Sequence, residues 1–238
     1  MVEKFMALMN EFIIVFFAFV IILTFRGFFK SVIALLNGDD TPMGTGFISL
    51  NPLAQVDLFP LVTVLFLVYM VGGYLDIFAQ QALLWLFVLG VGARWAYPIP
   101  INQQKFWHQT LGMVVTLLSG ACSGFVLAWL FMYVRMYTPF QSLPQAVSIP
   151  LKQIIRTIIS YSIFFSVLDL IPIPPFNTGY LLLYSLPPSC TMFIYFLEEY
   201  AVYLLATLFF CPGISDVFFA AIFFLSHSIE HILISLVF

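Results

Sequence analysis

The chain has 238 residues, 63% of them hydrophobic and 8% charged, with a formal net charge of −3 at pH 7. A soluble domain is about 45–50% apolar and about one quarter charged, so the composition excludes an ordinary cytosolic domain and points to a polytopic membrane protein. No basic patch offers itself to nucleic acid, and the first partner implied is the lipid bilayer.

At about 20 residues per span, the length predicts an all-α fold of about six transmembrane helices in one integral membrane domain, residues 1–238. The first span is read over about Phe12 to Leu36 and kept as a retained helix, because no small-residue cleavage site follows it. The stretch "NGDDTPMGTG" (37–46) ends it with Gly, Pro and two Asp. "FISLNPLAQVDLFP" (47–60) reads as a short interfacial or re-entrant, strand-like piece. A second span is read over Leu58 to Tyr74, and a shorter apolar piece over Ala82 to Val91 is tilted or re-entrant. "RWAYPIPINQQKFWHQ" (94–109) is a Pro-punctuated interfacial loop with Trp95, Tyr97 and Trp107 as belt aromatics.

A third span follows over Leu111 to Tyr133. In it Gly120 and Gly124 lie four apart, a spacing that lets helices approach closely. "TPFQSLPQAVSIP" (138–150) reads as a loop, and a fourth span runs over Leu151 to Ile171. "PIPPFNTG" (172–179) then breaks the chain at membrane depth, since its prolines cannot continue a helix. Irregular backbone at that depth must be buried in protein or line a cavity. Two runs, Met192 to Phe210 and Val217 to Phe238, complete the bundle. Cys122, Cys190 and Cys211 lie in or beside apolar stretches without a CxxC spacing and read as unpaired buried thiols. Glu198 and Glu199 mark a solvated helix end, and His108 reads as an ordinary loop residue.

The first span holds an anomaly. Arg26 and Lys30 stand one helical turn apart in an apolar run, with no acid beside them. Two unpaired cations in hydrocarbon cost about 2.5–3.5 kcal/mol each on an insertion scale, so they must snorkel to an interface or find an internal partner.

Four segments carry a resemblance. "DLIPIPPFNTGYLL" (169–182) resembles the NLLPIPPLDGG motif of the site-2 protease family, the intramembrane zinc metallopeptidases. "GDDTP" with "ISLNPLAQVD" resembles the GDDT…LTLNPLAHID stretch of its short bacterial members. "PIPINQQKFWHQTLGM" resembles their PVPVNPRNFRNPRRGM loop, and "LLSGACSG" their ALAGPxSN. The likeness covers about residues 20–185, leaving 190–238 as extra C-terminal helices, and implies a site-2-protease-like core in a bacterial inner membrane.

The family's HExxH would start twelve residues before Gly38, at Arg26. There the chain reads Arg26, Gly27, Phe28, Phe29, Lys30, and the Asp of LDGG is Asn177, followed by Thr178. By the resemblance both histidine ligands are thus cations, the catalytic Glu is Gly27, and the third ligand is an amide. A hydrolytic zinc needs three protein donors, charged Lys and Arg offer none, and Gly27 cannot act as a general base. No catalytic residue, metal or other cofactor is therefore expected at these positions. The expectation is an inactive pseudoprotease, a scaffold or binding module for a transmembrane helix of another protein. Asn51, Pro52, Pro172, Pro174, Pro175 and Asn177 would line its groove. Asp169, one helical break away, is the expected ionic partner of Arg26 and Lys30, with Asp57 as a second candidate.

A competing reading is an active intramembrane metallopeptidase with relocated zinc ligands. "HSIEH" (227–231) has the inverted-zincin spacing, with His227 and His231 on one helix face and Glu230 beside them, but no third ligand is marked. Serine chemistry has less support, because no GxSxG occurs and no serine has a His and an acid at informative spacing.

Overall fold

A computed structural model describes residues 2–66, 99–174, 176–210 and 213–237. Among the described residues the fold is all-helical, and four helices are long and apolar enough to cross a membrane. They are α1 (Val2–Leu36), α5 (Gln109–Tyr137), α6 (Gln145–Asp169) and α9 (Ile214–Val237). Shorter pieces connect them: α2 (Thr41–Gly44), α3 (Pro52–Gln55), α4 (Leu58–Phe66), α7 (Asn177–Ser185) and α8 (Thr191–Phe210). The expected six spans are thus four among the described residues. The second expected span is described only as far as Phe66, and the apolar piece at 82–91, with Trp95 and Tyr97, lies outside the described residues.

Each break has a local cause. After α1, Gly38 takes a positive φ of 105°. The Gly38 N–H donates to Leu35 O at 2.9 Å and the Asp39 N–H to Ala34 O at 3.0 Å. This pair of reversed bonds is the Schellman arrangement, which satisfies carbonyls that the helix end would leave open. The strand-like piece expected at 47–60 is instead the helical turn α3. Asn51 caps it, accepting from Leu53 N–H at 3.1 Å, and Pro52 sits at the first helical position, where its fixed φ suits a helix. The expected loop at 138–150 also gives way, because α6 begins at Gln145 and carries Pro150 inside it. Pro150 lies in the second turn, so the missing N–H costs one hydrogen bond. The first turn holds through Val147 and Ser148, both bonded to Pro144 O at 2.9 Å.

Helices α1, α5 and α6 form the body of the bundle. Phe19, Ile22, Ile158, Ile159, Ile163 and Leu168 are fully buried between them, and Leu61 and Leu65 of α4 close one side. Phe19 meets Phe165 edge-on at 5.3 Å between ring centroids and Tyr161 at the same distance. Such pairs are worth about 0.5–1.5 kcal/mol beyond area burial. In lipid the tails are as apolar as Leu, so contact quality rather than water exclusion drives the packing. Gly124 matters for that reason: a Cβ there would meet Ser162 O of α6 at 2.5 Å. Helix α9 docks on α6 through buried Ile222 and a stacked Phe164–Phe223 pair at 5.6 Å.

Candidate functional site

Three helices converge on one polar cluster. Arg26 and Lys30 come from α1, Asp169 from the last position of α6, and Asn177 from the first position of α7. The i, i+4 spacing puts both cations on one face. The break at 170–176 lets the chain turn and offer Asn177 beside Asp169. Arg26 Nη2 donates to Asp169 Oδ2, an ion pair whose side chains are 16% and 9% exposed. Asn177 Nδ2 donates to the same Oδ2 at 3.0 Å, and Lys30 Nζ donates to Asn177 Oδ1 at 2.8 Å. The run Arg26–Asp169–Asn177–Lys30 is a continuous hydrogen-bonded chain across α1, α6 and α7. Arg26 also lies over the Phe165 ring, 6.0 Å from its centroid, within the range of a cation–π contact.

Two glycines make room for this cluster. A Cβ on Gly120 would run into Asn177 Nδ2 and come within 3.4 Å of Asp169 Oδ2. The small residue of "GACSG" is thus what lets Asn177 reach the acid. Gly179, buried one turn into α7, packs so close to Ile173 and Pro174 that any side chain would collide with that backbone.

Gly27 faces a residue that sequence reasoning did not single out. A Cβ at 27 would collide with Gln55 Oε1. Gln55 is 1% exposed, and its Nε2 donates to Phe47 O at 3.2 Å and Ser49 O at 2.5 Å. Its amide therefore fills the space beside Gly27 and holds the 47–55 segment folded on itself. The signal was present: Gln55 stands where the quoted family stretch has His, opposite the position where the family has its Glu. A second missed residue is Asp39, which is fully buried. Its carboxylate accepts from Thr41 N–H at 3.0 Å and from Asn102 N–H at 2.7 Å, clamping the loop before α5 onto the end of α1. Nearby, exposed Lys105 and Asp40 pair at 2.5 Å. The hydrogen bond from Lys105 holds the Asp40 carboxyl below its usual range, and the same bond holds Lys105 above its own.

The other expected site residues are dispersed. Asn51 and Pro172 are exposed and Pro52 half-buried, but Pro174 is buried, so it presents no groove surface. Pro175 lies outside the described residues, as does Cys211. Cys122 and Cys190 are free thiols, Cys122 exposed rather than buried as its apolar setting suggested. Asp57 is half-buried just before α4, and exposed His108 precedes α5. His227 and His231 meet on an exposed face of α9, Nε2 to Nε2 at 3.1 Å. Among the described residues, no group of three His, Cys, Asp or Glu side chains could hold a metal.

Chemically, the α1–α6–α7 cluster is a cross-link. Arg26 and Lys30 lack lone pairs while charged and repel a dication, Gly27 has no side chain, and Asn177 uses its oxygen on Lys30. This donor set does not fit a zinc ion. The geometry permits charge pairing and helix clamping, and the Asp169 carboxylate is taken up by Arg26 and Asn177.

Comparison with known proteins places these residues in context. No family model matches the chain, and no solved structure matches it. A protein of Bacillus subtilis (strain 168), described as "Putative zinc metalloprotease YwhC", is 28% identical over 178 residues. The match covers 74% of this chain and 70% of the Bacillus protein. The chain is thus helical across its described residues, carries four membrane-length apolar helices among them, and has sequence similarity to a protein described as a metalloprotease.

Proposed function

We propose that the chain is a catalytically inactive member of the site-2 protease family, a membrane-embedded module that binds a transmembrane helix without cutting it. The observation that carries this reading is the Arg26–Asp169–Asn177–Lys30 chain of contacts, in which Arg26, Lys30 and Asn177 stand where the resemblance requires metal ligands. The similarity to the Bacillus protein and the four motif segments support the ancestry. The donor set supports the loss of chemistry, because four roles are replaced together and one neighbour cannot restore them all. An ion pair then does the mechanical work of the metal, joining α1 to the α6–α7 break. The partner surface is the irregular backbone around Asn51 and Pro172, both exposed, which can offer hydrogen bonds to an unwound segment. A bacterial inner membrane is the setting that fits this family.

The test uses the full chain in liposomes with a single-pass peptide whose span carries a central Asn-Pro break. A photoreactive residue replaces Asn51 or Pro172. The expected result is a crosslink to an intact peptide, with or without added zinc. A zinc-dependent cleavage product would overturn the inactive assignment, and no crosslink from either position would overturn the binding role.

A further inference from the structure

Helix α9 presents an ionisable face where lipid would be expected. Its candidate span runs Asp216–Ser235, and 6% of that window is buried within the chain. His227 lies eleven residues after Asp216, about 16 Å along the helix at 1.5 Å per residue, near the middle of a hydrocarbon core of about 30 Å. His227 and His231 are both exposed, and Glu230 between them is half-buried. Ionisable groups at that depth face a partner or a cavity, because lipid gives them nothing to bond.

The two rings form a preset chelate. Their Nε2 atoms lie 3.1 Å apart, and their ring planes are nearly perpendicular, at 83°. A zinc-class ion bonds imidazole nitrogen at about 2.0–2.1 Å, so a 3.1 Å separation subtends about 98° at the metal. That lies between the octahedral and tetrahedral angles and needs only a few tenths of an ångström of opening for a tetrahedral site. In the metal-free pair one Nε2–H donates to the other ring. For the ion to bind, the donor ring shifts its proton to Nδ1, and both Nε2 lone pairs become ligands with no net proton change.

We propose that His227 and His231 form half of a four-nitrogen site for a divalent transition metal, completed by the same pair from a second copy of this chain. Three features favour a second copy. A tetrahedral structural site takes four protein ligands, and each chain supplies two. A two-fold axis along the membrane normal keeps both copies in the same topology and brings the two pairs to the same depth, as an isologous contact requires. The charges also close: two Glu230 carboxylates balance one dication, so the buried interface is neutral. Ala220, exposed and seven residues before His227 on the same face, lets the two α9 helices approach closely. The bridge is structural and independent of the Arg26 cluster.

The experiment takes the full-length protein in detergent, stripped with chelator and titrated with Co²⁺. Mass is read by light scattering and metal geometry by visible absorption. The expected result is half an ion per chain, intense tetrahedral bands and a doubling of protein mass. All three should vanish in His227→Ala/His231→Ala and persist in His108→Ala. Both substituted rings are exposed on α9, and thermal melting of the metal-free variant checks that it folds. One ion per monomer, no binding, or a dimer unaffected by chelator and by the double substitution would each overturn the proposal. Failure here leaves the crosslinking and cleavage results above untouched.

Discussion

Removing the charge of Asp169 tests the clamp most directly. Asp169 Oδ2 accepts from both Arg26 and Asn177, and Asn177 in turn accepts from Lys30. Asp169→Asn keeps the volume and removes the anion, leaving two cations one turn apart on α1 with only neutral acceptors. Removing one partner of a buried ion pair costs about 3–5 kcal/mol. The pair here is 16% and 9% exposed, so little solvent screens it. For a chain of this size each kcal/mol moves the melting midpoint by about 2–4 °C, which gives a drop of roughly 6–20 °C. The assay is thermal unfolding in detergent, followed by tryptophan fluorescence and by aggregation. A cycle with Arg26→Met separates clamp from bulk. Removing both charges should recover much of the loss, since replacing a whole buried pair by apolar groups is often near neutral. A midpoint within about 1 °C of wild type for Asp169→Asn, or an Arg26→Met/Asp169→Asn double variant that falls by the sum of the two single losses, would refute the clamp.

Other perturbations follow from the same contacts. Gly27→Ala puts a methyl against Gln55 and should lose about 1–3 kcal/mol by overpacking, with Gln55→Ala restoring most of it in the same thermal assay. Gly120→Ala drives Asn177 away from Asp169, and its effect should shrink once Asn177 is already Ala. Asp39→Ala removes the acceptor of the Thr41 and Asn102 N–H groups, about 0.5–1.5 kcal/mol for each lost hydrogen bond, and hydrogen exchange at those two amides should rise together. The Asp40–Lys105 pair carries a pH signature. Asp40 is held below its usual 3.8, so its share is present above that value and lost as pH falls through the lowered one. Lys105 is held above its usual 10.5, so its share is present below that value and lost as pH rises through the raised one. The difference in loop protection between wild type and Lys105→Met should therefore be flat at neutral pH, vanish at both extremes and shrink with salt.

What could be read from the chain and what could not divide along physical lines. Apolar runs of 20 residues and more announce themselves, and α1, α5, α6 and α9 sit where the hydropathy put them. The break after Leu36 was visible because Gly38 alone there can take a φ of 105° cheaply. The i, i+4 spacing of Arg26 and Lys30 put both on one face before any coordinates. What the spacing could not say is that Asn177 would bridge Lys30 to Asp169, because that depends on how α7 re-enters after Pro174. Short elements failed for a related reason. In "NPLAQV" the pattern is too brief to separate strand from helix, and a single cap at Asn51 decided it. The stretch 138–150 read as a loop, yet Pro150 sits in the second turn of a membrane helix, where its cost is one bond.

Gln55 shows why the remaining part of the site was hidden. Alone, it looks like an interfacial amide in a half-polar stretch. Its meaning comes from Gly27, 28 positions earlier, whose missing side chain leaves the space that the Gln55 amide occupies. Gly27 and Gln55 therefore form one packing unit. A carboxylate at 27 would collide with Gln55, and without Gln55 a glycine at 27 would leave a void beside α1. A side chain at 27 therefore requires the Gln55 amide to give way. Gly27→Leu should melt well below wild type, and adding Gln55→Ala should recover most of that loss. If Gly27→Leu melts with wild type, or if Gln55→Ala recovers none of its loss, the coupling of Gly27 to Gln55 is wrong.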